Sequence, residues 1–172
     1  MRPQLLIPAL LWLGACDGKE GSMSIRVNST AFDFGRPIPA KYTGEGADVS
    51  PPLAWSGIPA AAKELALICD DPDAPTPEPW VHWVLYKLPA TLSGLKEGER
   101  GVGLEGKTDN DKPGYGGPMP PKGDGVHHYH FTLYALDQAL QAGPGISKSG
   151  ILALMQGHIL ARGELVGTYE RK

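Results

Sequence analysis

A chain of 172 residues supports one hydrophobic core and falls short of the length at which cores divide, so a second domain is not expected. Its 23 Gly and 17 Pro imply many turns, while a hydrophobic fraction of 41% is that of a packed globular protein and excludes a disordered chain. A formal charge of −3, with 16 scattered Lys and Arg, provides no basic field for a polyanion and excludes nucleic acid as an expected partner.

The N-terminus has the layout of an export signal: Met1-Arg2, a mostly apolar run from Leu5 to Leu13, then Leu13-Gly14-Ala15 before Cys16. The run is shorter than the roughly 20 apolar residues a bilayer span needs. Leu-Gly-Ala-Cys resembles a bacterial lipobox, which implies that Cys16 is lipid-modified and anchors an exported protein to a membrane. The expected organisation is therefore a signal at 1–16, a polar tether at 17–23 and one domain at 24–172. Pro3 and Pro8 within the apolar run leave the alternative that Met23 is the true start and the protein is cytoplasmic. Cys69 is the one other cysteine, so no internal disulfide framework is expected. It lies in the apolar run Leu65-Ala66-Leu67-Ile68-Cys69 and reads as a packed, inert thiol.

Short strands are predicted at Ser24–Asn28, Leu53–Trp55 and Glu64–Cys69, punctuated by Ser50-Pro51-Pro52 and Gly57-Ile58-Pro59. Trp80–Leu88 is rich in Trp, Val and Tyr and carries no breaker, which predicts a longer strand; Arg100–Lys107 predicts a shorter one. Asn110–Gly125 is so dense in Gly and Pro that it must be a loop, and a loop of that length in a compact domain is usually functional. His128–Leu136 and Glu164–Tyr169 read as strands. A helix is predicted at Lys148–His158, with Ser147 as N-cap, an apolar stripe of Ile151, Leu152, Leu154, Met155 and Ile159, and Gly157 and Gly163 weakening its end. The pattern is that of a mainly β domain with one helix near its C-terminus.

Strand periodicity puts Trp80 and His82 on one face, and His127, Tyr129 and Phe131 on one face with His128 and His130 opposite. Asp71-Pro72-Asp73-Ala74-Pro75 follows a predicted buried strand, and its prolines fix part of the backbone. In Gly116-Gly117-Pro118-Met119-Pro120-Pro121 the missing Cβ atoms would let backbone N–H groups approach a ligand. His128 and His130 have a spacing metals use but no clear third ligand, and His158 reads as a hydrogen-bonded packing residue.

Asp71-Pro72-Asp73-Ala74-Pro75, Trp80-x-His82 and Gly117-Pro118-x-Pro120-Pro121-x-Gly123-x-Gly125-x-His127-x-Tyr129 together resemble the signature blocks of the phosphatidylethanolamine-binding protein (PEBP) family. Ser50-Pro51-Pro52-Leu53-x-Trp55, Gly157-His158-Ile159-Leu160-Ala161 and Leu165-Val166-Gly167-Thr168-Tyr169 resemble its bacterial, Raf-kinase-inhibitor-like branch. The resemblance covers about Ser24 to Tyr169. It implies an antiparallel β-sandwich-type core with a short C-terminal helix, and a surface cavity that takes phosphate-like or carboxylate groups. Its ligand-binding residues would be Asp71, Asp73, Trp80, His82, Gly117, Pro121, His127 and Tyr129, with no cofactor and no metal. Met119 departs from the small residue found there in many relatives, and kinase inhibition does not transfer on fold alone.

An ionised carboxylate only accepts hydrogen bonds, so the aspartates would orient and charge an imidazole or receive a ligand's ammonium or hydroxyl group. The anion's donors would then be His82, His127, Tyr129 and backbone N–H groups. Two other readings stay open: a protein-interaction or inhibitor module that uses the same pocket, and a weak hydrolase of phosphoesters or amides, for which no defined reaction motif is present. A second copy of the chain remains an open partner.

Overall fold

The computed structural model describes residues 22–23, 25–110 and 113–172. The expected signal segment, Cys16 and residues 17–21 of the expected tether lie outside the described residues.

The strands are β1 (Ser22–Met23), β2 (Arg26–Asn28), β3 (Arg36–Pro37), β4 (Leu53–Ser56), β5 (Glu64–Asp71), β6 (Trp80–Pro89), β7 (Gly94–Leu95), β8 (Leu104–Glu105), β9 (Val126–Leu136) and β10 (Ile159–Glu170). A 3₁₀ turn covers Ala40–Tyr42, and the helix α1 covers Lys148–Met155. The large sheet runs β1-β10-β9-β5-β6-β8, with β3 also on β10; β2, β4 and β7 form a small sheet. Pairing is antiparallel except where the two-residue strands β1 and β3 run parallel to β10.

β5 sits between β9 and β6 and is buried on both faces, which explains an unbroken apolar run in place of alternation. Leu65, Leu67 and Cys69 enter a core shared with the small sheet through Leu53, Trp55 and Leu95. Ala66 and Ile68 enter a second core on the opposite face, closed by Ile151 and Met155 of α1. The fold thus has three layers, small sheet, large sheet and helix, and each fully buried Leu stabilises it by roughly 1.5–3 kcal/mol.

Most predicted elements occur with shifted ends. Ser147 caps α1 by accepting from Gly150 N–H at 3.1 Å, but the helix stops at Met155, short of the expected His158, and Gly157 follows with φ +79°. The strand expected over Arg100–Lys107 shrinks to β8 because Gly101 and Gly103 take left-handed φ of +76° and +75°, outside strand geometry. Cys69 is buried as expected, and that burial pushes its thiol pKa well above the ordinary value.

Two irregularities shape the site end of the large sheet. Cys69 pairs with Trp83 and Asp70 with Val81, so His82 is the extra residue of a β-bulge. His82 and Trp83 consequently both lie on the small-sheet side, the first in a cavity and the second in the core, while Val81 and Val84 belong to the helix side. Tyr115 pins the long loop over this end by donating from Oη to Tyr42 O at 2.7 Å.

Candidate functional site

A cavity of about 350 Å³ opens at the ends of β5, β6 and β9. Its floor is polar: Asp71 from β5, His82 from β6, His127 and Tyr129 from β9, and Asn110 from the loop. Trp80 and a wall of Ala74, Pro75, Met119, Pro120 and Pro121 are mostly carbon. Seven of the residues expected from sequence bear on this place, six in the lining and Asp73 nearby; Gly117 does not.

His127 is the buried charge centre. Its side chain and that of Asp71 are 3% and 4% exposed, with Nδ1 and Oδ2 2.8 Å apart. Nε2 lies 3.2 Å from Oδ2 of Asp124, a carboxylate 42% exposed. Burial works against the charged ring, but the hydrogen bonds and fields of Asp71 and Asp124 outweigh it and raise its pKa. With a carboxylate at each nitrogen, the imidazolium donates to both.

His82 is the opposite case. Its Nδ1 lies 2.7 Å from Gly116 O, which only accepts, so Nδ1 carries the proton and Nε2 is an acceptor in the neutral ring. Burial dominates here and lowers the pKa, against the smaller opposing influence of the Gly116 carbonyl and nearby aspartates. The surroundings thus favour the charged form of His127 and the neutral form of His82, whose Nδ1–H is already committed to Gly116 O.

Two donors in the lining lack a well-formed hydrogen bond. The Tyr129 Oη is buried near the Asp71 carboxylate without good hydrogen-bond geometry, and burial, followed by the charge and proximity of Asp71, pushes its pKa far up, so it stays protonated. The Tyr129 ring packs edge-on against His82 with centroids 5.1 Å apart. Asn110 Oδ1 accepts from Trp80 Nε1 at 3.2 Å, and since that nitrogen only donates, the amide orientation is fixed. Asn110 Nδ2 is left buried and unpaired.

Asp73 stands beside the cavity. Its Oδ2 accepts from His128 N–H at 2.8 Å and lies 2.7 Å from His128 Nδ1, on the outward strand face. Burial would raise its pKa, but the His128 bonds prevail and lower it. Asp73 N–H donates to Asp71 Oδ1 at 2.9 Å, so the residue orients Asp71 through its backbone. Gly117 N–H is spent on Asp48 Oδ1 at 2.6 Å and Gly116 N–H on His82 O at 3.0 Å. A Cβ at Gly117 would stand 2.4 Å from Tyr42 O. The glycine serves a close backbone crossing, and its amide is not aimed at a ligand.

His128 and His130 face different carboxylates, Asp73 and Glu164, and the described residues contain no group of three or more His, Cys, Asp or Glu placed to hold a metal. His158 Nδ1 lies 3.0 Å from Asp137 Oδ1, with its side chain 38% exposed. Asn110 and Asp124 were not singled out by sequence. Each lies in the Gly- and Pro-rich loop, whose side chains find their partners only once it folds against β6 and β9.

The sequence profile of the phosphatidylethanolamine-binding protein family matches residues 28–170, and a UPF0098 protein of Methanothermobacter thermautotrophicus is 44% identical over 153 residues, 86% of this chain and 99% of that one. The chain belongs to the phosphatidylethanolamine-binding protein family. Solved structures agree. The PEBP homolog CT736 of Chlamydia trachomatis matches with TM-score 0.82 at 42% identity, covering 88% of this chain and all of that one. YbcL of Escherichia coli, a member of the mammalian PEBP family, gives 0.80 at 31% identity over 87% of this chain and 99% of its own. The mainly β PEBP fold with its short C-terminal helix is thus established, and the cavity lies within the matched PEBP region.

Proposed function

We propose that this PEBP-family protein binds a small acid group, phosphate-like or carboxylate, against His127 in the cavity. The observation that carries the reading is the buried His127–Asp71 pair, whose fields favour the charged ring, beside two donors without a well-formed bond, Tyr129 Oη and Asn110 Nδ2. Unpaired buried donors are costly, and acceptor oxygens of a ligand would satisfy them. His82 Nε2 asks for the reverse, a ligand O–H or N–H donor. A phosphomonoester monoanion combines acceptor oxygens with one O–H, which matches this inventory better than a bare dianion. The apolar wall suits a carbon substituent on the acid.

A second reading, an interaction module that takes an acidic side chain of a partner protein, draws on one fact. A polypeptide carboxylate, that of Asp124, already reaches His127 Nε2.

Calorimetric titration with phosphoethanolamine tests the pocket. His127→Ala should weaken binding by about 1.5–3 kcal/mol, roughly ten- to a hundred-fold. His128→Ala, on the outer strand face, should bind as wild type. Equal affinity in all three proteins would remove His127 as the anion's partner. Native mass spectrometry of the purified protein would separately reveal a retained ligand.

We also propose export and membrane anchoring through a lipid on Cys16, from Leu13-Gly14-Ala15-Cys16 after an apolar run. Cys16→Ala should move the protein from the membrane to the soluble fraction. A mature wild-type chain beginning at Met23 without lipid would overturn this.

A further inference from the structure

The two carboxylates on His127 are not equivalent. Asp71 is on a central strand and buried with the ring. Asp124 is on the loop, 42% exposed, and its 3.2 Å contact is longer than the 2.7–2.9 Å usual for charge-assisted N–H···O bonds. Gly123 and Gly125 flank it with φ of +79° and +92°, and a Cβ at either would meet nothing within 4 Å. The glycines are there for left-handed backbone, not for crowding, so this short segment stands clear of the rest of the fold. Its backbone bonds, Gly123 N–H to Arg171 O and Asp124 N–H to Pro121 O, are both 3.3 Å.

Of the ring's two N–H groups, Nδ1–H is committed to the interior, so Nε2–H is the one a ligand can take. Resting on the anion-pocket reading above, we propose that Asp124 is a specificity-determining residue whose carboxylate occupies the ligand's place on His127 Nε2 and is displaced by any acid that binds. Two consequences follow from charge. A simple anion must both break the Asp124 contact and sit beside the carboxylate it evicted, which lowers its affinity. A ligand bearing an ammonium group a few atoms from its acid gives that carboxylate a new partner, so zwitterions are favoured over bare anions of the same acid type.

The test is calorimetric titration of wild type, Asp124→Ala, Asp124→Asn, Asp73→Asn and His127→Ala with inorganic phosphate and with phosphoethanolamine at one fixed pH. Asp124→Ala should bind phosphate about tenfold more tightly than wild type, the low end for a charge-assisted bond because the carboxylate is partly solvated. Asp124→Asn should gain less, since its amide oxygen still accepts from Nε2–H. The gain for phosphoethanolamine should be smaller than for phosphate. Asp73→Asn removes a nearby charge whose carboxylate is bonded to His128 and not to His127, and should change phosphate affinity much less. Unchanged or weaker phosphate binding in Asp124→Ala, while His127→Ala still weakens it, would overturn the Asp124 role and leave the pocket standing. A gain in Asp73→Asn equal to that in Asp124→Ala would reduce the effect to long-range charge and also overturn it. Phosphate and phosphoethanolamine binding absent from every variant and from wild type would remove the pocket reading itself.

Discussion

Asp71 Oδ2 and His127 Nδ1 meet 2.8 Å apart in a place where neither side chain is more than 4% exposed. A pair this buried is costly to break, because removing one partner leaves the other unpaired. Asp71→Ala should therefore destabilise the fold by about 3–5 kcal/mol in urea unfolding, far more than Asp73→Ala, whose carboxylate is 43% exposed. A cost below about 1 kcal/mol would mean that the ring finds another acceptor.

The same pair makes stability depend on pH. The His127 pKa is raised in the folded state, so its contribution is fully present below the unfolded histidine value of about 6.5 and is lost as pH rises through the folded value. His82, with a lowered pKa, contributes above about 6.5 and loses that contribution as pH falls through its folded value. Subtracting the stability profile of His127→Gln from that of wild type should leave a difference that shrinks with rising pH in the alkaline direction. A difference that grows there would contradict a charged His127.

Tyr129→Phe should separate stability from binding. The hydroxyl is buried without a well-formed hydrogen bond, so deleting it removes a poorly satisfied group and should leave stability unchanged or raise it slightly in the ligand-free protein. The same change should weaken phosphoethanolamine binding, by about 1 kcal/mol for one neutral hydrogen bond. Loss of stability together with unaltered binding would place the hydroxyl in the fold and not in the pocket.

Much of the site was legible because it rides on strand periodicity. His127 and Tyr129 share a face of β9 and His128 points away, as alternation requires. The division of labour between histidines was not legible, since it depends on Gly116 O reaching His82 and on Asp71 reaching His127 across 34 and 56 residues. The bulge at His82 was hidden too, because it is a property of the pairing with β5 and not of β6 alone. The surroundings of Gly117 were hidden for a related reason: a missing Cβ looks the same in sequence whether the close neighbour is a ligand or the backbone of Tyr42, against which this glycine lies.

That last point has its own test. Gly117→Ala forces a Cβ to within 2.4 Å of Tyr42 O and 2.7 Å of Thr43 Cα, backbone atoms that cannot rotate away. The loop must shift, and unfolding should show a loss on the order of 1–3 kcal/mol, as for other overpacked sites. Gly123→Ala meets no neighbour and should cost only the left-handed backbone penalty of roughly 1–2 kcal/mol. If Gly117→Ala were as stable as wild type and lost only anion binding, the ligand-cradle role read from sequence would return.

The final prediction uses the unequal histidines to identify the protonation state of the ligand. His82 resists protonation as pH falls below its ordinary pKa, and its Nε2 accepts from a ligand O–H or N–H, the P–OH of a phosphomonoester monoanion being one such donor. His127, between Asp71 and Asp124, stays charged above its ordinary pKa. A phosphomonoester loses its second proton near pH 6, so its affinity should begin to fall there and fall again as His127 deprotonates. Acetate, ionised from roughly pH 4.3 upward like a glutamate side chain, has no hydroxyl to lose and should show only the second fall. Titrating wild type with phosphoethanolamine and with acetate between pH 5 and 9 separates the two. Matching profiles would show that His82 does not bond the ligand's P–OH, and affinity that climbs with pH for both would remove His127 as the cation of the site.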